Sequence, residues 1–89
     1  MNYLSFPLNH QNSGTGVEVT LSGVESDVML LDSFNLQAFK RGGKYSYFGG
    51  HSKQSPVHLQ VPTSGTWTVV VVPGFGGQVR ASVRVTANA

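Results

Sequence analysis

The sequence predicts an all-β fold, a small antiparallel β-sandwich or partly closed barrel of about seven strands with one short helix near residues 33–41. Three observations carry that prediction. Apolar and polar residues alternate with a period of two in several short runs, most clearly Val79, Ala81, Val83 and Val85 against Arg80, Ser82, Arg84 and Thr86. Valine dominates the large apolar residues, with thirteen against seven leucines and no isoleucine, and β-branched residues suit a pleated surface. Eleven glycines without a fixed period punctuate these runs, as turns between short strands require.

Taken in order, Tyr3–Leu8 places Leu4, Phe6 and Leu8 on one face. Pro7 cannot donate to a ladder, which assigns this strand to a sheet edge. His10–Gly16 reads as a polar loop. Val17–Leu21 is a second strand, with Val17, Val19 and Leu21 inward and Glu18 and Thr20 outward. Ser22-Gly23 makes a turn, and Glu25, Ser26 and Asp27 lead into Val28–Leu31, a run apolar on both faces and so a covered, central strand. From Asp32 the period changes. Asp32 or Ser33 serves as N-cap, Phe34 with Ala38 and Leu36 with Phe39 have helical spacing, and Gly42 supplies a left-handed stop after Lys40 and Arg41.

Lys44–Phe48 reads as a fourth strand closed by Gly49-Gly50, and Pro56–Val61 as a fifth with Val57, Leu59 and Val61 inward. Pro62–Gly65 turns the chain into its last two runs. These are expected to form a β-hairpin around the five-residue loop Pro73–Gly77, pairing Val71 with Val79, Val69 with Ala81 and Trp67 with Val83. That register sets both apolar sets on one face, whereas a one-residue slip would oppose apolar to polar.

With 89 residues, the chain has room for a single domain, residues 1–89. The absence of cysteine excludes a disulfide framework, a thiolate nucleophile and a Cys-based zinc site, so stability must come from packing or from a partner. Six basic and four acidic side chains give a net charge of +2, which makes the protein nearly neutral. No apolar run approaches the roughly 20 residues that cross a bilayer, and the start of the chain lacks the basic-then-apolar pattern of a leader. A cytoplasmic protein with no membrane contact is therefore expected.

The titratable residues form no recognisable catalytic pattern. His10, His51 and His58 and the carboxylates Glu18, Glu25, Asp27 and Asp32 fall in no G-x-S-x-G or H-E-x-x-H setting, and no cofactor or metal is expected. The Pro73–Gly77 loop lacks the following helix and lysine of a phosphate-binding loop. Three groups remain as candidate contacts. Phe75 at the loop tip either folds back on the core or meets a partner. Arg80 and Arg84 share the wet face of the last strand, expected to lie beside Thr66, Thr68 and Ser82. Lys40, Arg41, Lys44 and Lys53 are interleaved with Tyr45, Tyr47 and Phe48, a composition that suits a phosphate backbone and stacked bases.

Val17–Leu21, Val28–Asn35, Tyr47–Gly50, Ser55–Trp67 and Gly77–Val85 together resemble a family of small bacterial domains of unknown function, DUF1883. The resemblance extends from Tyr3 to Val85, and its last two stretches are the most specific. It implies an all-β domain that occurs alone or ahead of a TIR domain, hence a sensing, ligand-binding or assembly module whose NAD chemistry would reside in the TIR part. Residues 1–89 contain no TIR domain, and the family brings no site residues to carry over.

The resulting expectation is a non-enzymatic binding or assembly module for a protein partner or small ligand, with self-association through strand edges compatible with it. The alternative is nucleic-acid binding through residues 40–53.

Overall fold

A computed structural model describes residues 3–74 and 77–86. In it the chain runs β1 (Leu4–Gln11), β2 (Gly16–Gly23), β3 (Ser26–Asp32), α1 (Ser33–Lys40), β4 (Phe48–Ser52), β5 (Val57–Gln60), β6 (Gly65–Pro73) and β7 (Val79–Thr86). The strands form two antiparallel sheets, a four-stranded one ordered β1-β6-β3-β4 and a three-stranded one ordered β5-β2-β7. The alternation of the sequence is thus realised as a sandwich, and the barrel alternative is not.

Two apolar clusters hold the layers. Between the sheets, Val28 and Leu30 of β3 and Trp67, Val69 and Val71 of β6 meet Val17 and Val19 of β2, all within 4% exposure. Leu4, Phe6 and Leu8 pack at one side of this core, with Val79, Ala81 and Val83 facing them from the other sheet's end strand. On the outer face of the four-stranded sheet, Met29, Leu31 and Val70 are covered by Phe39 of α1, with Tyr3, Leu36 and Tyr45 around them. Phe39 receives the rings of Tyr3 and Tyr45 edge-on at 5.1 and 5.2 Å. Each fully buried Leu or Val contributes roughly 1.5–3 kcal/mol of transfer free energy before conformational entropy is counted. β3 and β6 are therefore buried on both faces because the helix closes the one that the second sheet does not.

The expected hairpin between the last two runs does not form. β6 lies between β1 and β3, pairing Val71 with Leu4 and Val28, while β7 pairs with β2, Val79 opposite Gly23 and Val83 opposite Val19. Their apolar sets do turn toward one core, but across the sandwich rather than side by side. Alternation fixes a strand's face; it says nothing of its neighbour. The connection is stitched to the β2–β3 turn instead: Gly74 N–H donates to Glu25 O at 3.0 Å and Val24 N–H to Gln78 O at 3.1 Å. This close approach requires glycine at position 23, where φ is +120° and a Cβ would stand 2.5 Å from Gln78 O.

Four smaller expectations are corrected. β1 continues through His10 to Gln11, past a register shift between Pro7 and Asn9, so His10 is on a strand and not in a loop. Lys44–Tyr47 is irregular, and the fourth strand comes later, with Gly49 and Gly50 inside it. The reason is that Tyr45 is spent covering Phe39. Phe34 is 76% exposed, so the helix's apolar face is Leu36, buried Ala38 and Phe39, without Phe34. Val85 keeps its place on the apolar side of β7 yet remains 41% exposed.

Candidate functional site

The end of α1 and the segment after it build one surface. Asp32 is the N-cap, its Oδ1 accepting from Asn35 N–H at 2.8 Å and from Asn35 Nδ2 at 2.9 Å. Asn35 Oδ1 in turn accepts from Ser46 N–H at 2.8 Å, tying the irregular segment back to the first turn of the helix. At the other end Gly42, at φ +76°, lets its own N–H reach Phe39 O and Gly43 N–H reach Ala38 O, the paired bonds of a Schellman stop. The chain so folded leaves a cleft of about 620 Å³ lined by Phe34, Asn35, Gly43, Lys44, Tyr45 and Ser46. Lys44 is exposed at its lining, Lys40 and Arg41 are exposed at the C-terminal end of α1, and the Tyr47 ring, 45% exposed, stands 5.9 Å from that of half-buried Tyr45. Sequence reasoning named five of these residues and missed Phe34, whose helical spacing suggested core.

The wet face of β7 is differently composed from the expected one. Thr66 and Thr68 belong to the other sheet, and Thr68 is buried at 6% exposure. The neighbours of β7 are instead Glu18, Thr20 and Ser22 of β2. Glu18 sits opposite both Arg84 and His58, and its carboxylate takes Arg84 Nη2 at 3.0 Å with His58 Nδ1 at 3.9 Å. Arg84 is thus paired with Glu18, while its side chain stays 71% exposed and its charge still acts on whatever lies beyond the edge. Arg80, opposite Ser22, borders a second cleft of about 620 Å³ at the open end of the sandwich, with Tyr3, Leu4, Pro73 and Val79. Phe75 lies outside the described residues.

A third constellation escaped the sequence. His51 of β4 stands opposite Asp27 of β3, and its ring is held on both sides, Nδ1 to Asp27 Oδ1 at 2.9 Å and Nε2 to Glu25 Oε1 at 3.0 Å. The hydrogen bond to Glu25, then that to Asp27, raises the pKa of His51 above its ordinary 6.5. With both nitrogens occupied, the ring offers neither a base to a nucleophile nor a lone pair to an ion. The three histidines lie on three different strands, and among the described residues no set of three His, Asp or Glu side chains is arranged to hold a metal ion. Glu25 in the β2–β3 turn and Asp27 two residues on in β3 were the visible half of this cluster; the pairing with β4 was not visible.

The chain matches, over residues 1–89, the family model described as a domain of unknown function, DUF1883. It belongs to the DUF1883 family. No curated protein and no solved structure matches it. The chemically informative feature of this domain is the disposition of its charges. All four carboxylates are engaged internally, Glu18 with Arg84, Glu25 and Asp27 with His51, and Asp32 at the helix cap. Among the described residues Lys40, Arg41, Lys44, Lys53 and Arg80 have no ion-pair partner. Two of those five cations, Lys40 and Arg41, close α1, and Lys44 follows in the segment after it. No helix among the described residues is long and apolar enough to cross a membrane.

Proposed function

We propose that this DUF1883 domain is a non-enzymatic recognition module that binds an acidic protein surface at the end of α1. One observation carries the reading: with every side-chain carboxylate engaged, Lys44 stands uncompensated in a cleft with exposed Phe34, and Lys40 and Arg41 add two further unpaired cations at the C-terminal end of the same helix. Cations around an aromatic cleft suit a partner segment of acidic residues carrying an apolar side chain, the cations steering it and the rings receiving its apolar part. Tyr45 and Asn35 hold the cleft in shape. We further read the domain as cytoplasmic and bacterial, a reading supported by its cysteine-free composition and its resemblance to TIR-linked domains.

The same surface has the composition of a weak site for a single nucleic-acid strand, and the test separates the two. A short labelled peptide of Glu and Leu and a labelled oligothymidylate are titrated by fluorescence anisotropy at low and moderate salt. The peptide is expected to bind, and Lys40→Glu/Lys44→Glu to weaken it roughly tenfold. Binding of the oligonucleotide alone, with a steep fall in salt, would reassign the ligand class. Peptide binding that the double variant leaves unchanged would overturn the site.

A further inference from the structure

We propose that β7 pairs with β7 of a second copy of the chain, antiparallel about a two-fold axis at Val83, so that two three-stranded sheets join into one continuous sheet. Of the four edge strands, β1 carries Pro7 and a bulge at Asn9, whose φ is +62°. β4 is five residues long with two glycines, and β5 is four residues long. Each is guarded in one of the ways by which natural sheets avoid edge pairing. β7 has no proline, glycine or bulge over its eight residues and runs in unbroken register with β2 from Val79 to Thr86; its guards are the charges of Arg80 and Arg84 on the wet face, so a partner strand must set neither against a like charge. Among the described residues, no strand neighbours the outer backbone groups of β7.

The side chains decide what strand fits there. Directly opposed residues of an antiparallel pair lie on the same face. A two-fold between copies of a strictly alternating strand must therefore pass through a residue rather than between two. Centred on Ser82, the pairing would set Arg80 against the partner's Arg84; centred on Arg84, it would set that residue against itself. Like charges directly opposed are unfavourable. Centred on Ala81, the ladder would stop at Val83 and leave Val85 uncovered. The register centred on Val83 escapes both faults. It opposes Val83 to the partner's Val83 and Ala81 to the partner's Val85 on the apolar side, and Ser82 to the partner's Arg84 and Arg80 to the partner's Thr86 on the wet side. Val85, apolar yet 41% exposed on the free edge strand, gains a cover in this register. A copy of the chain itself thus fits this edge without opposing like charges and covers Val85, which is why it is the occupant proposed.

Ser82 is exposed, so its substitution tests the register without touching the core. Sedimentation equilibrium on the whole chain is expected to show a monomer–dimer equilibrium. Ser82→Glu, facing the partner's Arg84 twice across the axis, should tighten it on the order of tenfold, and Ser82→Arg should loosen it by a similar factor. A Lys40→Glu/Lys44→Glu variant should dimerise as wild type does, which keeps this inference separate from the proposed peptide site. A wild-type chain that stays monomeric at its highest soluble concentration would overturn the pairing. Weaker association of Ser82→Glu would overturn the Val83 register, since a Ser82-centred dimer would set the two glutamates against each other.

Discussion

His51 shows how a single exposed ring can report on pH. Its protonated form donates to Glu25 and to Asp27, so folding raises its pKa above 6.5, the Glu25 bond being the larger cause. A group whose pKa rises on folding stabilises the fold fully below its unfolded value and ceases to do so as pH climbs through the folded one. The melting temperature of wild type should therefore exceed that of His51→Gln most near about pH 6, and the two should converge by about pH 9. A difference constant over that range would show that the ring acts by packing alone. The ring is too exposed for the effect to be large, and the bonds join the β2–β3 turn to β4, so amide exchange around Glu25 should follow the same pH course.

At the scale of elements, the helix and its following segment form one unit through Asn35. Its amide group bonds Asp32 on one side and Ser46 on the other. Asn35→Ala should cost about 1 kcal/mol in chemical denaturation and should weaken capture of the acidic peptide, because the segment bearing Lys44 loses its tether. Unchanged peptide affinity in that variant would place the tether elsewhere. The helix was legible in the sequence, cap, length and stop alike, since those signals are local. So were the inward sets of the strands, Leu4 with Phe6, Val17 with Val19, and Trp67 with Val69 and Val71. Pairing was not legible, because it depends on contacts distant in sequence. One clue to it was present. Val28–Leu31 and Val69–Val72 are unbroken apolar runs, the mark of strands covered on both faces, while Val17–Leu21 and Val79–Val85 alternate strictly. The two unbroken strands pair with each other, as do these two alternating ones, although alternating β1 pairs with β6. By the same dependence, the pairs Glu18 with Arg84 and Asp27 with His51 could be found only once their strands had been set side by side.

For the molecule as a whole, Trp67 ties the layers together. It is 4% exposed, its ring lies 6.1 Å from that of Phe48, and its Nε1 donates to Thr63 O at 2.8 Å. Trp67→Ala should cost about 3–5 kcal/mol, a large share of the roughly 5–15 kcal/mol that holds a small domain folded. A variant melting with wild type would contradict this account of the core. The passage of the chain from β6 in one sheet to β7 in the other has a further consequence, in time rather than in energy. β6 finds its partners in β1 and β3, and β7 finds its own in β2, far back along the chain. Few of the sandwich's contacts can form between residues close in sequence, so loop-closure entropy must be met before burial returns it. The domain should fold over milliseconds to seconds rather than microseconds. During synthesis β2 waits with one flank bare until residues 79–86 emerge, so the last strand made is also the one that completes the three-stranded sheet.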